Sequence, residues 1–350
     1  MGKILLFYKY VDVQDPQAVA AWQRSLCTTL GLRGRIILAT EGINGTLGGS
    51  DEATDEYIKQ MNAHQLFANI DFKTAPGDER FFPRLRIMIK KEIVIMGIDP
   101  TVLKASDAAP YVTPEEAHEI FKNKPKDLVI LDTRNQYEIE IGTFENSISP
   151  QTRYFREFPA YIDNNLETFA DKEVLMFCTG GVRCERASAY LQNKGVAKKV
   201  MHIQGGIHRY VEQFPDGFFK GSNYVFDARV SHKVNDAVLG TCTLCSIPSD
   251  YYVNCRNAEC NNQFLSCQTC KNQLQESCSK ECATLVEAQK VIVRTKPARI
   301  DPPSPVSTFS FLGLPDEVKH KDMAPSTFAN ASGLWRDCAT LEKNRTDSDK

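Results

Sequence analysis

The placement of the cysteines constrains this chain more than any other feature of its sequence. Of 12 cysteines, eight fall between Cys242 and Cys282, two flank a glycine pair at Cys178 and Cys184, and Cys27 and Cys338 stand apart. A secreted disulfide scaffold spreads its cysteines through a short chain. Pairs at close spacing in a long chain point instead to reduced thiols that hold metal, with a separate pair left for chemistry. The cluster reads Cys242-x2-Cys245, Cys255-x4-Cys260, Cys267-x2-Cys270 and Cys278-x3-Cys282, eight thiolates, enough for two tetrahedral zinc sites. Spacing alone leaves open whether successive pairs fill one site each or alternate between sites. Disulfides are disfavoured by a reducing compartment, and an iron–sulfur cluster because consecutive pairs of this kind suit zinc modules better. The expected role is structural, since ~40 residues bury too little core to fold without metal.

The chain has 350 residues, which exceeds one domain and implies two or three compact units. A hydrophobic fraction of 42% with 25% charged residues excludes global disorder and fibrous architectures. Forty-four acidic residues against 42 Lys and Arg give a net charge of −2, so a polyanion partner would have to be held by a local patch. No apolar run approaches the ~18 residues of a membrane span. The opening Met1-Gly2-Lys3-Ile4-Leu5-Leu6 has no signal-peptide layout, and Leu6 stands where a myristoylation signal needs Ser or Thr. A cytoplasmic protein with no membrane partner is expected.

Periodicity divides the chain. Over residues 1–96, Ile4–Tyr8, Arg35–Ala39, Ile70–Lys73 and Leu85–Ile89 read as strands, with helices over Pro16–Leu30 (Asp15 as N-cap) and Asp51–His64. Asn44-Gly45 reads as the tight turn leading to a hairpin strand at Thr46-Leu47. The order β-α-β-β-α-β is that of a ferredoxin-like, acylphosphatase-like α+β sandwich. The segment Tyr10–Gln14 lacks the glycines of an anion-cradling loop, so the unit reads as a binding platform. Residues 97–112 read as a linker. Over 113–217, apolar strands at Leu128–Asp132, Glu173–Phe177 and Lys199–Ile203 alternate with helices, predicting a parallel α/β domain. Residues 218–285 hold the cysteine-rich module, and 286–350 read as a mostly flexible tail in which Phe309–Leu314 is the one apolar patch.

Cys178-Thr179-Gly180-Gly181-Val182-Arg183-Cys184 joins a buried strand to a helix. The glycines let backbone amides converge on one point, and the helix aims the positive end of its dipole there. Cys178 would sit at the centre, with its pKa drawn below the free value of ~8.5 and its reactivity raised. Arg183 adds positive charge, while Thr179, Gly180, Gly181 and Val182 form the cradle. A buried structural cysteine is the plainer alternative, which the strand–loop–helix setting and Arg183 outweigh. Cys184 either resolves an oxidised or persulfidated Cys178 or is a small residue packed in the first helical turn.

This loop, with Asp132-Thr133-Arg134 ending one strand and Gly205-Gly206-Ile207 following another, resembles a rhodanese domain. It is shorter than the loop of the related dual-specificity phosphatases, which argues against phosphatase activity. The resemblance extends further. Glu41–Thr46, Lys91–Gly97, Asp132–Asn135, Cys178–Glu185 and Val225–Val230 occur in order, and together they resemble the tRNA uridine(34) hydroxylase family over roughly residues 3–285, including its eukaryotic rhodanese-like members. That resemblance implies an acylphosphatase-like domain, a rhodanese domain and a cysteine-rich module. It also implies oxygen-dependent conversion of the wobble uridine of tRNA to 5-hydroxyuridine, with Cys178 as the catalytic residue.

The residues themselves carry no flavin or nicotinamide motif and no 2-His-1-carboxylate set among six histidines. A mechanism consistent with them has the Cys178 thiolate or persulfide add to C6 of uracil, enriching C5 for attack on an oxygen species. The alternatives are a sulfurtransferase working through a Cys178 persulfide with a sulfur donor or reductant, and a zinc-bearing adaptor without turnover. For RNA contact, Arg80, Arg84, Arg86, Lys90 and Lys91 gather charge beside Phe81 and Phe82, which are placed for stacking. A second basic run holds Lys290, Arg294, Lys296 and Arg299; either run alone also fits a solvated face.

Overall fold

The computed structural model describes residues 2–294. The first unit runs β1 (Gly2–Tyr10), α1 (Pro16–Thr29), β2 (Arg33–Ala39), β3 (Gly42–Ser50), α2 (Asp51–Ala63), β4 (Lys73–Pro76) and β5 (Leu85–Ile89). The Asp15 carboxylate accepts the backbone N–H groups of Gln17 and Ala18 and so starts α1 ahead of Pro16. The sheet order is β4-β1-β3-β2-β5, with β5 added parallel to β2 at the edge. Strand alternation splits β1 into two faces: Leu5 and Phe7 join the core under both helices, and Leu6, Tyr8 and Tyr10 point the other way. Cys27 belongs to that core, where burial pushes its thiol up to about 12.

The expected Asn44-Gly45 turn is not where the chain reverses. Thr40 and Glu41 make the turn, and Asn44 and Gly45 lie inside β3, opposite Ile37 and Ile36. Gly45 serves packing instead: a Cβ there would lie 2.4 Å from the Phe7 ring.

The second unit comprises β6 (Tyr111–Val112), α3 (Pro114–Asn123), β7 (Leu128–Asp132), α4 (Gln136–Ile139), β8 (Gly142–Phe144), α5 (Phe158–Asn164), α6 (Leu166–Phe169), β9 (Glu173–Phe177), α7 (Val182–Lys194), β10 (Lys199–Ile203) and α8 (Gly206–Gln213). Its sheet, β6-β10-β9-β7, is parallel throughout and packed on both faces, which explains the unbroken apolar strands. Residues 97–112 are not a loose connection. Leu103 and Ala109 are buried in the core of this unit, and Tyr111–Val112 is its edge strand.

The remainder adds β11 (Phe219–Tyr224), β12 (Ser231–Lys233), β13 (Tyr252–Asn254), β14 (Gln263–Leu265), α9 (Gln268–Gln273) and α10 (Lys280–Glu287). β11 pairs with β8, anchoring the C-terminal module to the α/β unit, and Tyr252 reinforces the contact by donating to the Tyr137 carbonyl and Glu140. The chain stays ordered past 285: Ala258 and Arg294 backbone amides donate to Ile292 and Arg256, and the Arg294 side chain donates to Asn261. Phe309–Leu314, Lys296, Arg299 and Cys338 lie outside the described residues. Among the described residues, no helix is long and apolar enough to cross a membrane.

Candidate active site

Cys178 follows the last residue of β9, and α7 begins at Val182, so the loop is four residues long, Cys178 to Gly181. Gly181 takes φ of +104°, a region a side chain disfavours, and this turns its N–H onto Cys178 Sγ at 3.1 Å. The Gly205-Gly206 turn clamps the loop from outside: Ile207 and His208 amides donate to the Cys178 and Thr179 carbonyls, and a Cβ on Gly206 would lie 2.4 Å from the Cys178 oxygen.

The sulfur is fully buried, and burial alone would raise its pKa. The Cys184 thiol, the Arg183 charge and the amides of Arg183 and Gly181 outweigh that and bring Cys178 down to about 5. Cys184 moves oppositely, pushed far up by burial and by the neighbouring thiolate, so it remains a protonated donor, placed beside Thr133 Oγ1 at 3.6 Å. Arg183 is not a free anion hook. Its guanidinium is held bidentate by the buried Glu138 at 2.6 and 2.7 Å, and Glu138 also accepts from Thr179. The expected positive charge is therefore shared between the loop and a carboxylate from α4. Asp132 and Arg134 form a fully buried pair that ties β7 to the Gly142 carbonyl, a structural role.

The first unit roofs this loop. Leu6 lies 3.2 Å and the Tyr8 hydroxyl 2.7 Å from where Cβ atoms of Gly180 and Gly181 would be, and Tyr10 donates to the Val182 carbonyl at 3.1 Å. Tyr8 also donates to Glu185 Oε1 (3.1 Å), which receives Tyr111 at 2.5 Å. Lys73, only 2% exposed, pairs with Asp71 and sits over the Tyr8 ring. Beside this roof a cavity of about 1200 Å³ opens at the junction of the two units, lined by Tyr8, Tyr10, Lys73, Tyr111, Glu185 and Gln204 among others. Cys178 does not line it; Tyr8 does, and its hydroxyl packs against the loop at Gly181. The sequence reading missed Tyr8, Tyr10, Lys73 and Tyr111. Tyr8 and Tyr10 are signalled in the sequence by the alternation of Leu6, Tyr8 and Tyr10 along β1, and Lys73 and Tyr111, on other strands, by no such pattern.

Several of the motifs that carried the resemblance join the first unit to the rest of the chain. Arg186, fully buried on α7, reaches Glu92 (2.8 Å) and Glu41 (3.4 Å) and donates to the Ile98 carbonyl. Asn44 donates to the Ile93 carbonyl. Arg229 is paired with Asp227 and lies over the Phe81 ring, while the Ala228 amide donates to the Phe81 carbonyl. That contact overturns part of the RNA expectation: Phe81 and Phe82 are buried with Ile4 and cannot stack on bases. Arg80 is exposed but paired with Asp78. Arg84, Arg86, Lys90 and Lys91 are exposed, on or flanking β5, the sheet edge separated from β1 by β3 and β2.

The eight clustered cysteines resolve into two interleaved sets, Cys242/Cys245/Cys267/Cys270 and Cys255/Cys260/Cys278/Cys282, each with its sulfurs within 4.8 Å of one another. First and third pairs share one site, second and fourth the other. None of the eight is joined in a disulfide. Sulfur separations of 3.7 Å for Cys245–Cys267 and for Cys260–Cys278 match the edge of a tetrahedron with metal–sulfur bonds of ~2.3 Å. Backbone N–H groups of Cys270 and Cys278 point at Cys267 and Cys255 sulfurs, the usual support of metal thiolates.

Comparison with known proteins agrees with this division. Residues 2–93 match the UPF0176 acylphosphatase like domain, residues 113–213 the rhodanese-like domain, and residues 220–283 the rhodanase C-terminal family. A tRNA uridine(34) hydroxylase of Corynebacterium aurimucosum is 36% identical over 306 residues, covering 83% of this chain and 98% of that one. The protein of the same name from Enterococcus faecalis is 36% identical, covering 80% and 90%, and that from Streptococcus suis 37% identical, covering 80% and 88%. Identity at this level over nearly the whole of each relative, with three family models matched in order along the chain, places it in the tRNA uridine(34) hydroxylase family.

Proposed function

We propose that this protein hydroxylates C5 of the wobble uridine of tRNA, with oxygen as co-substrate and Cys178 as the reacting group. The observation that carries the reading is the geometry of the loop, whose Gly181 amide points at the Cys178 sulfur and whose charge and amides lower its pKa, close to an interdomain cavity large enough for a nucleotide. The thiolate adds to C6 of uracil, forming an S–C6 bond and moving the C5–C6 electron pair onto C5 and O4. C5 then attacks oxygen, loss of its proton restores the ring double bond, and Cys178 leaves as thiolate. One oxygen atom enters the product, and an external reductant takes the other to water. Because Tyr8 lines the cavity and packs against the loop, its side chain swings aside when the base enters.

The cysteine sets fit two zinc ions, each held by four thiolates, supplying folding energy to a module with little core of its own. Nucleoside analysis of tRNA from cells lacking the gene tests the main reading: 5-hydroxyuridine disappears and is restored by the wild-type gene but not by Cys178→Ser. Full restoration by that variant overturns the role of Cys178. The closed setting of the sulfur also favours a second reading, sulfane-sulfur transfer, because a single sulfur atom fits where a base needs Tyr8 to move. Altered tRNA thiolation with 5-hydroxyuridine intact would select it.

A further inference from the structure

Glu185 is a carboxylate with an unusual division of labour. It lies in the first turns of α7, one residue after Cys184, and is 7% exposed. Both tyrosine hydroxyls that reach it, Tyr8 and Tyr111, donate to the same oxygen, Oε1. Oε2 has no hydrogen-bond partner among the described residues, although the residue lines the interdomain cavity. A carboxylate oxygen left open in a largely buried setting invites a donor from a ligand. Around it stand aromatic faces (Tyr10, Tyr111) of the kind that stack on unpaired bases, and Lys73, whose ammonium spends one of its protons on Asp71.

Uracil presents one N–H on its pairing edge, N3–H, between two carbonyl oxygens. Cytosine presents a bare N3, an acceptor, in the same place. We propose that Glu185 reads the base: Oε2 accepts N3–H of the uracil lodged in the cavity while Lys73 donates to a flanking carbonyl, and cytosine is refused because its N3 lone pair meets the carboxylate. The inference rests on the uridine reading above and adds to it the residue that selects the base. A direct pairing of this kind discriminates by ~1–3 kcal/mol, a factor of roughly five to a hundred and fifty.

The test measures binding of the full-length protein to three anticodon stem-loop RNAs identical except at position 34, which carries uridine, cytidine or 3-methyluridine. The wild-type protein binds the uridine RNA tightest and treats the other two alike, since a 3-methyl group removes the N3–H. This arm needs no variant. Glu185→Gln, isosteric and able to turn an amide N–H toward N3, loses the preference for uridine over cytidine, weakening binding of the uridine RNA and leaving the 3-methyluridine RNA, which never made the contact, as it was. A purely structural role would weaken all three RNAs together. Equal binding of uridine and 3-methyluridine by the wild type, or an unchanged preference in Glu185→Gln, overturns the inference. If wobble hydroxylation in cells is intact in that case, only the role of Glu185 falls; if 5-hydroxyuridine does not depend on the gene, the uridine reading falls with it.

Discussion

Arg186 offers the sharpest handle on how the two halves of the site are held together. It projects from α7, while Glu41 sits in the β2–β3 turn and Glu92 just beyond β5, so its removal strikes the junction rather than either core. Deleting one partner of a buried ion pair costs ~3–5 kcal/mol. Glu92 also accepts the Met96 and Gly97 amides and Glu41 accepts Ile93, which sets the expected cost of Arg186→Met at the lower end, about 3 kcal/mol. At 1.4 kcal/mol per factor of ten, the state with the first unit lifted from the loop becomes about a hundredfold more populated. In that state Tyr8 no longer packs on the Cys178 loop. The assay is alkylation of Cys178 by a bulky maleimide at neutral pH, followed by peptide mass analysis. The rate scales with the open population when reclosing outruns the reaction. The expected result is a rise of about a hundredfold, reduced when Glu92→Gln is added, because that removes a carboxylate left without its partner. An alkylation rate equal to wild type in a folded Arg186→Met protein would refute the claim that this clamp keeps the roof closed.

Other outcomes follow from the same geometry. Because the folded pKa of Cys178 is lowered to about 5, the thiolate dominates above that value: its reaction with iodoacetamide should be flat from neutral pH down to about 6 and fall below about 5. A rate that climbs through pH 8 to 9 would place the thiol among ordinary cysteines. Elemental analysis should find two zinc ions per chain, and Cys255→Ser should lower the ratio by one and destabilise the whole module, since the two ligand sets interleave. Two ions retained in that variant would count against the assignment. Gly45→Ala should cost ~1–3 kcal/mol by forcing a methyl group into the Phe7 ring, lowering Tm without touching the site, and an unchanged Tm would show that the ring has room to move.

The eight-cysteine spacing singled out without a structure the residues that gather into two four-sulfur sets able to hold metal, because thiolate pairs two to four residues apart have few other uses in a reducing setting. Their interleaved pairing was not readable, since spacing along a chain carries no information about which distant pair returns to the same point. The Cys178 loop was also legible, since two adjacent glycines between an apolar strand and a helix specify local backbone geometry that places amides around a sulfur. Misreadings came where a local signal had a tertiary use: Asn44-Gly45 looked like a turn but makes room for Phe7, and Phe81-Phe82 looked like a stacking pair but seals the contact with Ala228.

Strand and helix patterns, the glycine loop around Cys178 and the paired spacing of the clustered thiols are encoded locally, in periodicity and short spacings, and the amino-acid sequence alone was enough to determine them. What covers the sulfur, which carboxylate neutralises Arg183, and which glutamate faces the cavity depend on docking Tyr8 of β1 and Glu138 of α4 against α7, residues separated by as many as 177 positions. Contacts at that range arise only when two separately folded surfaces meet, and no local pattern records them.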